Sequence, residues 1–146
     1  MITEDRIKHM LSVARKCYSL AKEEYHLSEE GARVYFVMGL LHDIGYEFCE
    51  ENSKHPEVGY NILKILFDHP YAFIDIINAI KNHGDPNNID PESFLNEILN
   101  KADLLVDAKG NNVTIEERLS DIGNRYGYDS KNYLDARKMA EIVGLL

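Results

Sequence analysis

Apolar side chains recur along most of the chain at steps of three and four residues, the spacing of one helix face. Over residues 4–25 the recurring positions are Ile7, Met10, Leu11, Ala14, Cys17, Tyr18 and Ala21. They predict a first helix buried along that stripe, with Thr3 as its cap. Ser28, followed by Glu29 and Glu30, predicts the start of a second helix. Its run from Ala32 to Ile44 is almost continuously apolar, so the pattern places this helix centrally. It should stop near Gly45, a residue that readily takes the left-handed conformation of a helix end. Pro56 suits the first turn of a third helix running to about Phe67, and the tripeptide DHP at 68–70 separates it from a fourth over roughly 71–83. The polar segment GDPNNID leads to Asp90-Pro91, which opens an expected fifth helix through about Asp107. Thr114 and Glu117 form a capping box for a sixth that Gly127 closes, and Ser130 caps a seventh reaching the carboxyl terminus. No alternating strand pattern, fixed-period repeat or low-complexity tract competes with this reading. The expected fold is all-α, a compact bundle of about seven helices.

Composition narrows the functional classes. The 146 residues fit one domain with one core, taken here as 1–146. Sixteen Lys and Arg against 25 Asp and Glu leave a net charge of −9, which disfavours nucleic acid as a partner. No run approaches the roughly 18 apolar residues of a membrane span, and the amino terminus MITEDRIKHM lacks the apolar core of a signal peptide. A soluble cytoplasmic protein is expected. Cys17 and Cys49 form no CxxC pair, so they read as buried free thiols rather than a zinc ribbon or redox motif.

The six histidines change the picture more. His9 falls on the first expected helix, His42-Asp43 at the end of the second, His55 at the start of the third, His83 at the end of the fourth, and Asp103 inside the fifth. Asp103 follows Leu99 by four residues and precedes Val106 by three, so it shares a face with core side chains. An unpaired carboxylate there costs several kcal/mol, and a bound cation removes that penalty. Adjacent helical residues point about 100° apart; His42 and Asp43 therefore approach one site from different directions or serve two neighbouring ions. Mixed imidazole and carboxylate donors suit iron, manganese, cobalt, nickel or zinc better than calcium or magnesium. His26 and His69 are expected to face solvent.

The order His9, His42-Asp43, Asp103, with LLHDIG at 40–45, resembles the HD superfamily of metal-dependent phosphohydrolases in its HDIG form. The resemblance spans roughly residues 6–107, leaving the helices of about 114–146 outside the metal-binding core. It implies that His9, His42, Asp43 and Asp103 hold a first metal. His55 in HPEVGYNIL and His83 in IKNHG resemble the extension that adds a second, the six-ligand dinuclear type. Many HDIG proteins carry lysine directly after the glycine, where this chain has Tyr46, so a positive group near the phosphate is absent or supplied elsewhere. Lys54 and Arg118 are the cations expected to contact phosphate, and Asp107 is a further candidate. The chain lacks the GYP motif of cyclic-dinucleotide phosphodiesterases, so cyclic-di-GMP is not the expected substrate.

The implied activity is hydrolysis of a phosphate ester or anhydride in a small molecule, a nucleotide or a relative of one, by hydroxide from metal-activated water. Asp43 is then the catalytic bridging ligand. Symmetrical cleavage of a diadenosine polyphosphate is a close variant. Di-iron oxygenase chemistry and a non-catalytic, metal-stabilised module are the alternatives from other classes. The implied partner is a small phosphorylated substrate, with a homodimer left open.

Overall fold

A computed structural model describes residues 1–66 and 70–146, with side chains at 1–65 and 73–146. The described residues form seven α-helices and no strand: α1 (Glu4–Glu23), α2 (Glu29–Leu41), α3 (His55–Leu66), α4 (Pro70–Asn82), α5 (Phe94–Leu104), α6 (Ile115–Tyr126) and α7 (Lys131–Ile142). The expected end of α3 at Phe67, the separator at 68–69 and His69 lie outside the described residues.

The predicted caps do their work. The side chains of Thr3, Ser28, Thr114 and Ser130 each accept a backbone N–H of the first turn, and Glu117 completes the reciprocal capping box with Thr114. Gly127 closes α6 with a positive φ. Two boundaries differ. Asp90 does not open α5 but takes the backbone N–H of Glu92 on its side chain, a local turn, and Ser93 caps the helix instead. At the other end α5 stops at Leu104, because Val106 leaves to pair with Asn112 in an isolated antiparallel bridge.

On α1 the buried positions are His9, Met10, Val13, Ala14, Cys17, Leu20 and Ala21. The expected stripe is therefore rotated: Ile7 is exposed, and Val13 and Leu20 lie inside. Helix α2 is less central than its apolar run suggests. It packs on α1 and α5, with Gly39 against the backbone of Ala14, while Val34 and Val37 remain exposed. It also ends early, at Leu41. His42-Asp43 lies in the following turn, before a 3-10 helix over Ile44–Glu47.

Gly45 is required for a reason other than the one expected. It is not among the glycines with positive φ. A Cβ at Gly45 would lie 1.9 Å from the carbonyl oxygen of His55 and 2.6 Å from the nitrogen of Gly59. Hydrogen is the largest substituent that lets this turn dock on the first turns of α3.

The main core joins α1 through α5 with side chains such as Val13, Met38, Leu63, Ile77, Ile80 and Leu99; a second cluster, including Leu119, Met139 and Val143, binds α6 and α7 to the end of α5. Cys17 is buried, as expected, but Cys49 is half-buried in the segment after the 3-10 helix.

Candidate metal centre

Five elements of the main core deliver polar side chains to one place. His9 comes from the second turn of α1, His42 and Asp43 from the turn after α2, His55 from the first turn of α3, His83 from just beyond α4, and Asp103 from the last turn of α5. His9, His42, Asp43 and His83 are buried; Asp103 is partly open, with 24% of its side chain exposed.

The imidazoles share one orientation. His9 Nδ1 lies 2.8 Å from the carbonyl of Asp107, His42 Nδ1 2.6 Å from that of Gly39, His55 Nδ1 2.6 Å from that of Asn52, and His83 Nδ1 2.5 Å from that of Ile80. A carbonyl only accepts, so each Nδ1 carries hydrogen and donates it. Each Nε2 is thereby turned inward. Three of these bonds are local, from residue i to i−3, so the chain fixes the ring wherever it fixes the turn. His9 is the exception, and Asp107 builds its partner. The Asp107 carboxylate accepts from the backbone of Lys109 and Asn111, shaping a loop whose Gly110 carbonyl also takes the Ser12 hydroxyl of α1. Asp107 thus acts through the loop, and lies beyond the helix on which it was expected.

The inward atoms crowd together. His9 Nε2 stands 2.9 Å from Asp103 Oδ1, and His42 Nε2 3.4 Å from the same oxygen. Asp43 Oδ1 faces His42, His55 and His83 at 3.4, 3.2 and 3.3 Å, while its Oδ2 lies 3.6 Å from His9. His55 and His83 meet Nε2 to Nε2 at 3.0 Å. The coordinating atoms of His9, His42 and Asp103 all lie within 4.8 Å of one another, as do those of His42, Asp43 and His83. His55 adjoins the second set through Asp43 and His83.

Such a cluster requires positive charge. Burial pushes the pKa values of Asp43 and Asp103 upward, but their histidine neighbours overcome it and hold both carboxyls well below the usual range. Burial works against the charged imidazoles of His42 and His83 too, yet the carboxylates raise both; for His55 burial prevails and its pKa falls. His42 Nε2 is buried with no hydrogen-bond partner. An orphaned, inward nitrogen among carboxylates fits a bound cation, and N/O donors of this kind suit a divalent transition metal.

A family model for the HD domain matches residues 6–122. The chain belongs to the HD domain family. Its members bind divalent metals and are generally hydrolases, and the all-α fold agrees with the family's. Comparisons with curated proteins and with solved structures gave no significant match.

One residue of this HD domain escaped the sequence reading. Arg6 lies three positions before His9, one turn earlier on the same side of α1, and its Nη1 donates to Asp43 Oδ2 at 2.7 Å. Its guanidinium also covers the ring of Tyr46 at 4.0 Å. The expected cations stand differently. Lys54 is exposed in the turn before α3, and Arg118 on α6 reaches Asp121 at 3.6 Å. Asp103 takes no partner from Lys101, which pairs with Glu24 instead. His26 is exposed, with a left-handed backbone between α1 and α2. Two surface recesses, of about 490 and 530 Å³, contain no member of the cluster; donor chemistry, not cavity size, marks the site. No helix among the described residues is long and apolar enough to cross a membrane.

Proposed function

We propose that this HD domain is a phosphohydrolase acting on a phosphate ester or anhydride of a small molecule, a nucleotide or a close relative. The observation that carries the reading is the convergence of four backbone-anchored imidazoles and two carboxylates on one space. His9, His42, Asp43 and Asp103 would hold one ion, and Asp43, His55 and His83 a second, with Asp43 common to both sets. Iron, manganese, cobalt, nickel and zinc all suit these donors. When bound, such ions lower the pKa of water from 15.7 towards about 7 and neutralise phosphoryl oxygens.

The chain's own residues orient the reaction. Asp43 Oδ1, set among three imidazoles, would accept a hydrogen bond from an attacking water and so orient it. Arg6 spends one N–H on Asp43 and is 28% exposed, which leaves guanidinium donors for a phosphate oxygen beside the cluster. It supplies the positive group that Tyr46 does not. With a net charge of −9 and its bound cations concentrated in one place, the protein would repel a nucleic-acid backbone yet accept a small phosphorylated molecule.

The test is release of phosphate or nucleotide by manganese-, cobalt- or iron-loaded protein from a panel that includes mononucleotides and diadenosine polyphosphates. Turnover of one member supports the reading and names the substrate. Inactivity on every ester and anhydride, with oxygen uptake by the iron-loaded protein, would replace it with oxidative chemistry.

A further inference from the structure

Tyr46 occupies the position where a lysine often follows the HDIG glycine, and its ring does something a lysine cannot. It lies on the imidazole of His55 with centroids 3.9 Å apart and planes only 15° from parallel. The guanidinium of Arg6 sits 4.0 Å from the same ring. Two groups that close cannot share one face of a phenol ring, so His55, Tyr46 and Arg6 form a three-layer stack. Both ends of the stack return to Asp43: Arg6 bonds Oδ2 at 2.7 Å and His55 faces Oδ1 at 3.2 Å.

The other three imidazoles of the cluster are buried, at 5% exposure or less, and are walled in by the core. His55 has 15% of its side chain exposed; its one bond to the backbone runs from Nδ1 to the carbonyl of Asn52, while its Nε2 meets members of the cluster, His83 at 3.0 Å and Asp43 at 3.2 Å. With one anchor to the scaffold outside the cluster, the ring keeps freedom to tip about that contact. A parallel aromatic face removes the freedom, and the cation on the far side of the phenol strengthens the assembly. Gly45 brings the stack about, since its missing Cβ lets the 3-10 turn touch the His55 carbonyl and so places the next residue over the ring.

We propose that Tyr46 is a positioning residue for the second ion: it holds the His55 ring in the plane that aims Nε2 at Asp43 and His83, and it does so by stacking. This rests on the two-ion reading above. The experiment is calorimetric titration of the full chain with manganese, paired with elemental analysis, for the wild type, Y46F and Y46L. Leucine keeps apolar contact but offers no ring face. The wild type and Y46F should take up two ions. Y46L should keep the tighter or first-filled site unchanged and bind the other 10- to 100-fold more weakly, the range seen when a partner that orients a ligand is removed. Two ions bound by Y46L with wild-type affinities overturn the proposal, as does parallel weakening of both sites, which would mark a merely structural role. A wild type that takes up a single ion overturns the dinuclear reading, and this inference with it.

Discussion

His9 and His42 reach the cluster from α1 and the end of α2 with 1% and 0% exposure, fixed by the same packing that makes the main core. His55 stands at the first turn of α3, its support a backbone carbonyl three residues back and the ring of Tyr46. His9, His42 and His83 are thus held by the interior, and His55 by a docked turn. The difference teaches that the two halves can fail separately. Disturbing the docked turn should empty the half containing His55 and His83 while sparing the half containing His9, His42 and Asp103, whereas disturbing what they share should empty both.

The shared element is Asp43, and its removal is the largest expected effect. Asp43→Ala should abolish uptake of both ions and lower kcat/KM by roughly 10³-fold, several kcal/mol of transition-state stabilisation; retention of one tightly bound ion would show the halves to be independent. Next comes Gly45→Ala. Its new Cβ meets backbone rather than a yielding side chain, so the turn must lift from α3, at about 3 kcal/mol of stability. Chemical denaturation should register that loss, and elemental analysis should show the His55 half depleted first. Arg6→Ala should leave ion stoichiometry unchanged and lower kcat/KM about tenfold, in line with a charge-assisted hydrogen bond of 1.5–3 kcal/mol; a changed stoichiometry would place Arg6 in the scaffold rather than on the substrate. The smallest effect belongs to Lys54→Ala. Lys54 is exposed and outside the cluster, and steady-state kinetics should find kcat/KM within about twofold of wild type, since exposed charges contribute little.

Much of this was readable before any coordinates. Capping at Thr3, Ser28, Thr114 and Ser130 is a local matter, settled by side chains that bond their own neighbours, and the helices followed. Residue type and place on the expected helices pointed to His9, His42, Asp43, His55, His83 and Asp103, the family resemblance joined them into one set, and the fold brings them together; that they ligate metal stands as proposed. The misreadings share a cause. Asp107 was placed on α5 because its spacing from Asp103 is helical, but the bridge between Val106 and Asn112 pulls it into a loop. Helix α2 was placed at the centre because its side chains are apolar, though Val34 and Val37 are exposed. Gly45 was given a left-handed turn because glycine often ends helices. In each case a local regularity yielded to contact with a segment distant in sequence.

Arg6 shows the same limit from the other side. Its spacing of three from His9 is a mark in the sequence, but Lys16, seven from His9, shares that face of the helix; the packing of α1 toward Asp43 and Tyr46 is what singles out Arg6. Sequence by itself determined the helices, the acidic surface and the inventory of donors, because these depend on residue type and on interactions within a few positions. Tertiary structure decided which donors face one another, which cation joins them, and that a tyrosine would brace the most exposed histidine of the cluster. Those outcomes depend on how five elements far apart in sequence pack, and the hydrophobic effect that drives the packing is set by the whole core rather than by any one segment.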